Sequence, residues 1–218
     1  MAPTDKAQEA IDNLRSLDNF QWYVIPLLVI VIYIYSSEIR KAQETDNWNI
    51  VFAGLTLFGM DLINEIWNSL VFHFTDHAAF WMTPGESAYI IMIGWNIEIA
   101  FMFSISGIAF ANMLPKDKNL KILGLNNRWF MAIGFSAFAV FVEVLLNQAD
   151  ALIWTYGFWN ASFAGIWLIF FFGYFHFFIA AFIVHDMEEI KNKIKTVGII
   201  YAIGIFALIL FMGILGWI

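Results

Sequence analysis

Residues 48–74 read WNIVFAGLTLFGMDLINEIWNSLVFHF, and the way this stretch is read decides the fold. As a helix it would rise about 40 Å at ~1.5 Å per residue, enough to cross a hydrocarbon core of ~30 Å. Its two acids, Asp61 and Glu65, do not argue against a helix. With Asn64 and Asn68 they recur at spacings of three and four. At about 100° per residue, these four side chains make one narrow polar stripe on an otherwise apolar surface. A charge near a bilayer centre costs at least ~2.5 kcal/mol, so such residues are rare and mark a pathway or a reactive site.

Five further runs repeat the pattern outward from this one. The expected spans are Phe20–Ser37, Trp48–Phe74, Ser87–Leu114, Arg128–Asn147, Trp159–Val184 and Val197–Trp217. A seventh is expected only if Ala149–Phe158 re-enters the membrane. An interfacial loop is preferred there, because Trp154, Tyr156 and Trp159 suit the headgroup belt. The expected fold is therefore all-α, a polytopic membrane bundle of six helices (seven with the re-entrant segment). Residues 1–19 form an N-terminal amphipathic segment, residues 20–218 form one transmembrane domain, and its functional core lies at about 48–186.

Composition agrees. The chain is 61% hydrophobic and 13% charged, too few charges to clothe a soluble domain of 218 residues. Nucleic acid is not an expected partner, since no basic patch is present. Zero cysteine removes disulfides, thiolate catalysis, Fe–S clusters and Cys-type zinc sites. The N-terminus does not read as a signal peptide, because an acidic, amphipathic segment precedes the first apolar run. In that segment Ala7, Ile11, Leu14 and Leu17 share a face, which would lie on the membrane surface or pack on neighbouring loops.

Basic residues alternate from loop to loop. Arg40 and Lys41 follow the first span; Lys116, Lys118, Lys121 and Arg128 separate the third and fourth; Lys191, Lys193 and Lys195 separate the fifth and sixth. The loops Thr75–Glu86 and Gln148–Phe158 contain neither Lys nor Arg. The positive-inside rule then places both termini outside, with the plasma or inner membrane as the expected location. The halves of the chain do not echo each other, which weakens an inverted-repeat transporter. Gly198 and Ala202, and Gly213 with Gly216, suggest close packing of the last span.

The chemistry is expected in spans two to five. Asp61, Glu65, Glu98 and Glu143 are the candidate catalytic acids, and three helices would direct them into a common interior. His176 is the only ionisable residue well inside the fifth span. Trp67, Trp95, Asn64, Asn68, Asn147 and His176 are the candidate substrate contacts. The asparagines have a plainer reading as interhelical hydrogen-bond glue. The same four acids with His176 are the candidate ligands for a divalent metal, the one cofactor considered. A Glu-x-x-His pair of the di-iron kind is missing from the spans. His73 and His77, at i and i+4, are a weaker metal pair at the mouth of the second span.

Three functions compete. The first is a membrane enzyme acting on a lipid-like substrate, isoprenoid or hydrocarbon, by acid–base chemistry or through carboxylate-bound metal. Acids with divided proton affinities in an aromatic-walled cavity follow the logic of membrane-bound terpene cyclases, a likeness of chemistry and not of sequence. The second is a proton- or cation-coupled transporter or channel using the same acids. The third is a subunit of a larger membrane complex or homo-oligomer, in which a partner satisfies the acids. A retinal protein is disfavoured, because no Lys lies inside a span.

Overall fold

The computed structural model describes residues 2–18, 20–85 and 87–218. Met1, Asn19 and Glu86 lie outside the described residues, and with them the expected 19/20 division and the end of the Thr75–Glu86 loop.

Helices dominate. After a short α1 (Asp5–Asp12) come α2 (Val24–Thr45), α3 (Asn49–Thr75), α4 (Ile97–Asn112) and α5 (Asn127–Gln148). The next rod, Phe163–Asp186, is built from α6 (Phe163–Leu168), a π-helical stretch (Ile169–Phe175) and α7 (His176–Asp186). The last comprises α8 (Ile190–Ala207) and a π-helical end, Leu208–Ile214. Four rods are long and apolar enough to cross a membrane: Asn49–Thr75, Asn127–Gln148, Phe163–Asp186 and Ile190–Ile214. Of the six expected spans, the other two are weaker. α2 ends in Glu38, Arg40, Lys41 and Glu44, and α4 is a shorter apolar helix. Residues 149–162 form turns and loops, so no re-entrant helix is seen among the described residues.

The third expected span, Ser87–Leu114, is corrected at its start. Residues 87–96 are not helical; Ile90–Met92 (β1) pairs antiparallel with Trp95–Asn96 (β2). Gly94, in the turn between them, explains this. A Cβ at Gly94 would run into the Asn68 amide and the Trp81 indole, so the turn of the hairpin packs against them as only a glycine can. A second hairpin, Lys121–Ile122 (β3) with Leu125–Asn126 (β4), leads into α5. Its turn has positive φ at Leu123 (50°) and Gly124 (85°), as a two-residue hairpin loop of the I′ type requires. In both hairpins the final Asn caps the next helix. Asn96 accepts from the Ile99 amide and Asn126 from the Arg128 amide. This short device therefore recurs, although no long repeat does.

α3 is the hub, packing on α4, α7 and α8. Lipid is as apolar as a leucine side chain, so close contact rather than water exclusion must hold such helices together. α3 achieves this with small residues. A Cβ at Gly107 of α4 would lie 2.8 Å from the Gly54 Cα, and one at Gly59 would lie 2.8 Å from Ile200 of α8. The close contact on α8 is Gly204 against Leu62. Gly198 and Gly213 face open space, which corrects the expected packing role of those two glycines.

Both chain ends sit at the same end of the bundle. The Thr4 amide donates to the His77 carbonyl, and the Trp217 ring stacks on His73 at 4.7 Å. α1 buries Ala7 and Ala10 against Ala78, Ala79, Met82 and Ile93, while Leu17 is 73% exposed. The apolar face of the N-terminal segment thus packs on neighbouring loops. At this end Met82 and Ile153 exchange backbone hydrogen bonds of 3.0 and 2.8 Å, which ties the two long loops together. At the opposite end, Arg128 grips Asp186 with two bonds of 2.8 and 2.9 Å. The buried Lys193 ammonium donates to the Val184 and His185 carbonyls, closing the end of α7. His185 and Asp186 are therefore clasped rather than freely solvated.

Candidate functional site

α3 brings Asp61 and Glu65 to one side of a cavity, and α5 brings Glu143 to the other. All three acids are buried, at 2%, 3% and 5% exposure. Each accepts an indole N–H from a hairpin or loop outside the long helices. Trp95 donates to Asp61 at 3.0 Å, Trp81 to Glu65 at 2.9 Å, and Trp154 to Glu143 at 2.9 Å. An indole has one donor and no acceptor, so it can satisfy one carboxyl oxygen only, and at Glu65 the other oxygen has no partner among the described residues. The Tyr174 hydroxyl also faces Glu143. Tyr174 arrives through the π-helical stretch, whose wider turn also carries Gly173 into the cavity wall. Insertions of this kind occur often at functional sites.

Two polar atoms in this cavity lack partners. Glu65 Oε2 and Trp159 Nε1 are both buried, and neither has a hydrogen-bond partner among the described residues. Both residues line the cavity. A buried polar atom left unpaired costs ~1–3 kcal/mol. One acceptor-or-donor oxygen and one N–H donor are what a hydroxyl, carbonyl or water oxygen would satisfy together. Trp159 is held in place by stacking on Phe80 at 5.2 Å and on Trp81 at 5.7 Å.

The cavity measures about 40 Å³, on a scale where one water needs roughly 10–15 Å³. It therefore suits a polar head rather than a whole lipid. An apolar cavity of about 70 Å³ continues from it and shares Met102, Phe103, Glu143, Leu146, Tyr174 and Phe177 as walls. This second space reaches Phe138, which is 55% exposed on the bundle surface.

The other expected site residues are placed differently. Glu98 does not join the three acids. It sits at the start of α4, where Tyr23 and Ser87 donate hydroxyl bonds and Ala88 an amide bond. The hairpin accounts for this, since it starts α4 near the end of the bundle and leaves Glu98 among the loops. Asn68 is fully engaged: its amide donates to the Trp81 carbonyl at 2.8 Å and its carbonyl receives the Phe80 amide at 2.8 Å. Asn147 donates to the Leu152 carbonyl at 2.9 Å. Both asparagines pin loops. Trp95 is present as the donor to Asp61. Asn64 lines the acid cavity, as expected, and also a surface groove on the side of α3, where it is joined by Trp67 and His176, which do not reach the acids.

A metal does not fit this donor set. Among the described residues no three His, Asp or Glu side chains are placed to hold a metal, and Glu98 and His176 lie apart from the three cavity acids. The expected ligand set of Asp61, Glu65, Glu98, Glu143 and His176 is thus dispersed, and His73 is stacked on Trp217. The tryptophan donors Trp81, Trp154 and Trp159 were not expected at the site. Their signal was visible as three Trp in loops that follow acid-bearing helices, but a headgroup belt explains Trp in such loops equally well.

Comparison with known proteins adds identity without chemistry. An uncharacterized protein of Archaeoglobus fulgidus is 50% identical over 216 residues, covering 99% of this chain and all of the relative. A second uncharacterized protein of the same organism is 45% identical over 51 residues, which is 23% of this chain and 91% of that protein. No solved structure matches. A family model matches residues 4–213, and the chain thus belongs to an uncharacterized membrane protein family.

Proposed function

We propose that this protein is an integral-membrane enzyme that acts on an oxygen-bearing, otherwise apolar lipid, with Glu65 as the reacting acid. In this reading α2 and α4 join the four longer rods to give six crossings, with the basic loops in the cytoplasm and both termini outside. The observation that carries the proposal is the pair of unpartnered atoms, Glu65 Oε2 and Trp159 Nε1, on two residues that line one head-sized cavity.

The chemistry follows from the groups present. The ligand oxygen accepts from Trp159 Nε1 and meets Glu65 Oε2. A protonated Glu65 gives its proton to that oxygen or to an adjoining double bond, while Trp81 holds its other oxygen still. Positive charge developing on the carbon skeleton lies against the faces of Phe103, Tyr174 and Phe177, which attract a cation. Glu143, positioned by Trp154, accepts a proton from the far side, and Asp61 sits one turn from Glu65 as its electrostatic neighbour. An isomerisation or cyclisation of this kind needs no redox partner, because one proton enters as another leaves.

The test is mass spectrometry of lipid extracted from protein purified in mild detergent. Wild type is expected to retain an oxygen-bearing apolar lipid, and Glu65→Gln and Trp159→Phe to lose it. Wild type that retains none, yet drives proton uptake into liposomes that Glu65→Gln abolishes, would replace the enzyme with a proton-coupled carrier.

A further inference from the structure

Besides the apolar space on the Phe138 side, a second approach leads from the bundle surface to the head-sized cavity, and one residue lines both. Asn64 lines the acid cavity and also a groove of about 190 Å³ on the bundle surface, with Trp67, Phe171, Phe172 and His176. Trp67, Phe171 and Phe172 are 43%, 48% and 59% exposed, so the groove faces outward from the helices. Asn64 lies four residues before Asn68 on the same polar stripe. Asn68 both donates and accepts through its amide, whereas the side-chain amide of Asn64 has no hydrogen-bond partner among the described residues.

His176 supplies a second polar group in the same groove. Its Nδ1 lies 3.0 Å from the Phe171 carbonyl, which can only accept, so Nδ1 carries the proton. In the neutral ring Nε2 is then an acceptor. An idle amide and an imidazole acceptor in a groove walled by aromatic rings, midway along membrane-crossing helices, are unusual. Polar groups there are retained when they meet a polar ligand or a partner.

We infer that this groove is a lateral portal, and that Asn64 is the gate through which the hydroxyl end of a membrane-dissolved lipid passes to Glu65. This rests on the lipid-enzyme reading above and adds the direction of approach. The hydroxyl donates to His176 Nε2 or to the Asn64 carbonyl oxygen while it crosses the hydrocarbon layer. It then exchanges them for Glu65 and Trp159. Asn64 and His176 are positioning residues here and take no part in the chemistry.

The experiment is modification of Glu65 by dicyclohexylcarbodiimide, in protein reconstituted into phosphatidylcholine vesicles, followed by peptide mass spectrometry. The carboxyl proton moves to a carbodiimide nitrogen as the carboxylate oxygen bonds the central carbon. An oxygen-to-nitrogen acyl shift then gives a stable adduct. Wild type is expected to label at Glu65 with this lipid-soluble reagent and not with a water-soluble carbodiimide. Asn64→Trp should slow labelling roughly tenfold by overfilling the gate. Asn64→Ala should label at least as fast as wild type, which separates blockage from misfolding. Ala139→Trp, in the apolar cavity, should leave the rate unchanged. Slowing by Ala139→Trp without slowing by Asn64→Trp would move the entrance to the α4–α5 side and overturn the portal. An unlabelled Glu65 in wild type, or labelling only by the water-soluble reagent, would overturn it as well. Neither readout requires a retained lipid, so failure of the lipid-enzyme reading is recognised separately.

Discussion

Glu98 and Glu65 are two glutamates in apolar sequence with opposite fates. Glu98 is surrounded by donors: two hydroxyls and a backbone amide reach it from α2's approach and from the loop before the hairpin. Glu65 lies deeper, receives one indole N–H, and keeps an oxygen over an open space. The first arrangement stabilises a carboxylate and ties three segments together. The second holds a carboxyl in place and leaves it available. Counting acids in a helix does not separate the two. Counting the donors around each carboxyl does.

The comparison is broken or sharpened by mutation, beginning with the largest effect. Glu98→Ala would strand two hydroxyls and an amide, and should cost about 3 kcal/mol, read as a drop in thermal midpoint in detergent. The surviving folded fraction should still retain lipid. Asn68→Leu removes the bonds that hold Phe80 and Trp81, and should cost about 2–3 kcal/mol by the same measurement. It should also loosen the Trp81–Glu65 contact and weaken lipid retention. Trp154→Phe keeps a ring but deletes the donor to Glu143, and is expected to cost about 1 kcal/mol. Glu65→Gln is the smallest in stability, within about 1 kcal/mol, because one of its oxygens is already unpaired. It should nevertheless abolish lipid retention. If Glu65→Gln proved as destabilising as Glu98→Ala, the two glutamates would be structural alike and the distinction would fall.

Much of this was legible in the sequence. The polar stripe of α3 required only a period near 3.6, and α3 runs Asn49–Thr75 against an expected Trp48–Phe74. α5 was equally plain. The failure at Ser87–Leu114 has a local cause. The run Ile90–Ile91–Met92–Ile93 is apolar enough for either a helix or a strand, and composition cannot choose between them. The choice is made by Gly94 against Asn68 and Trp81, a contact between distant parts of the chain. The misplacement of Glu98 follows from that one error. The indole donors were hidden for another reason. Trp81 and Trp154 are close in sequence to their acids, 16 and 11 residues away, but loops of that length can turn in many directions.

The hairpins entering α4 and α5 act as rigid joints. Each passes into its helix with no slack, since the last residue of the strand is already the helix cap. The hairpin therefore sets the rotational phase of the helix as a gear tooth sets a wheel. One residue inserted between Gly94 and Asn96 would turn α4 by about 100°. Met102 and Phe103 would swing away from the acids while the helix itself remained intact. A chain with such joints can lengthen its loops elsewhere at little cost, but here its indels are limited by the angle at which Met102 and Phe103 line the cavity.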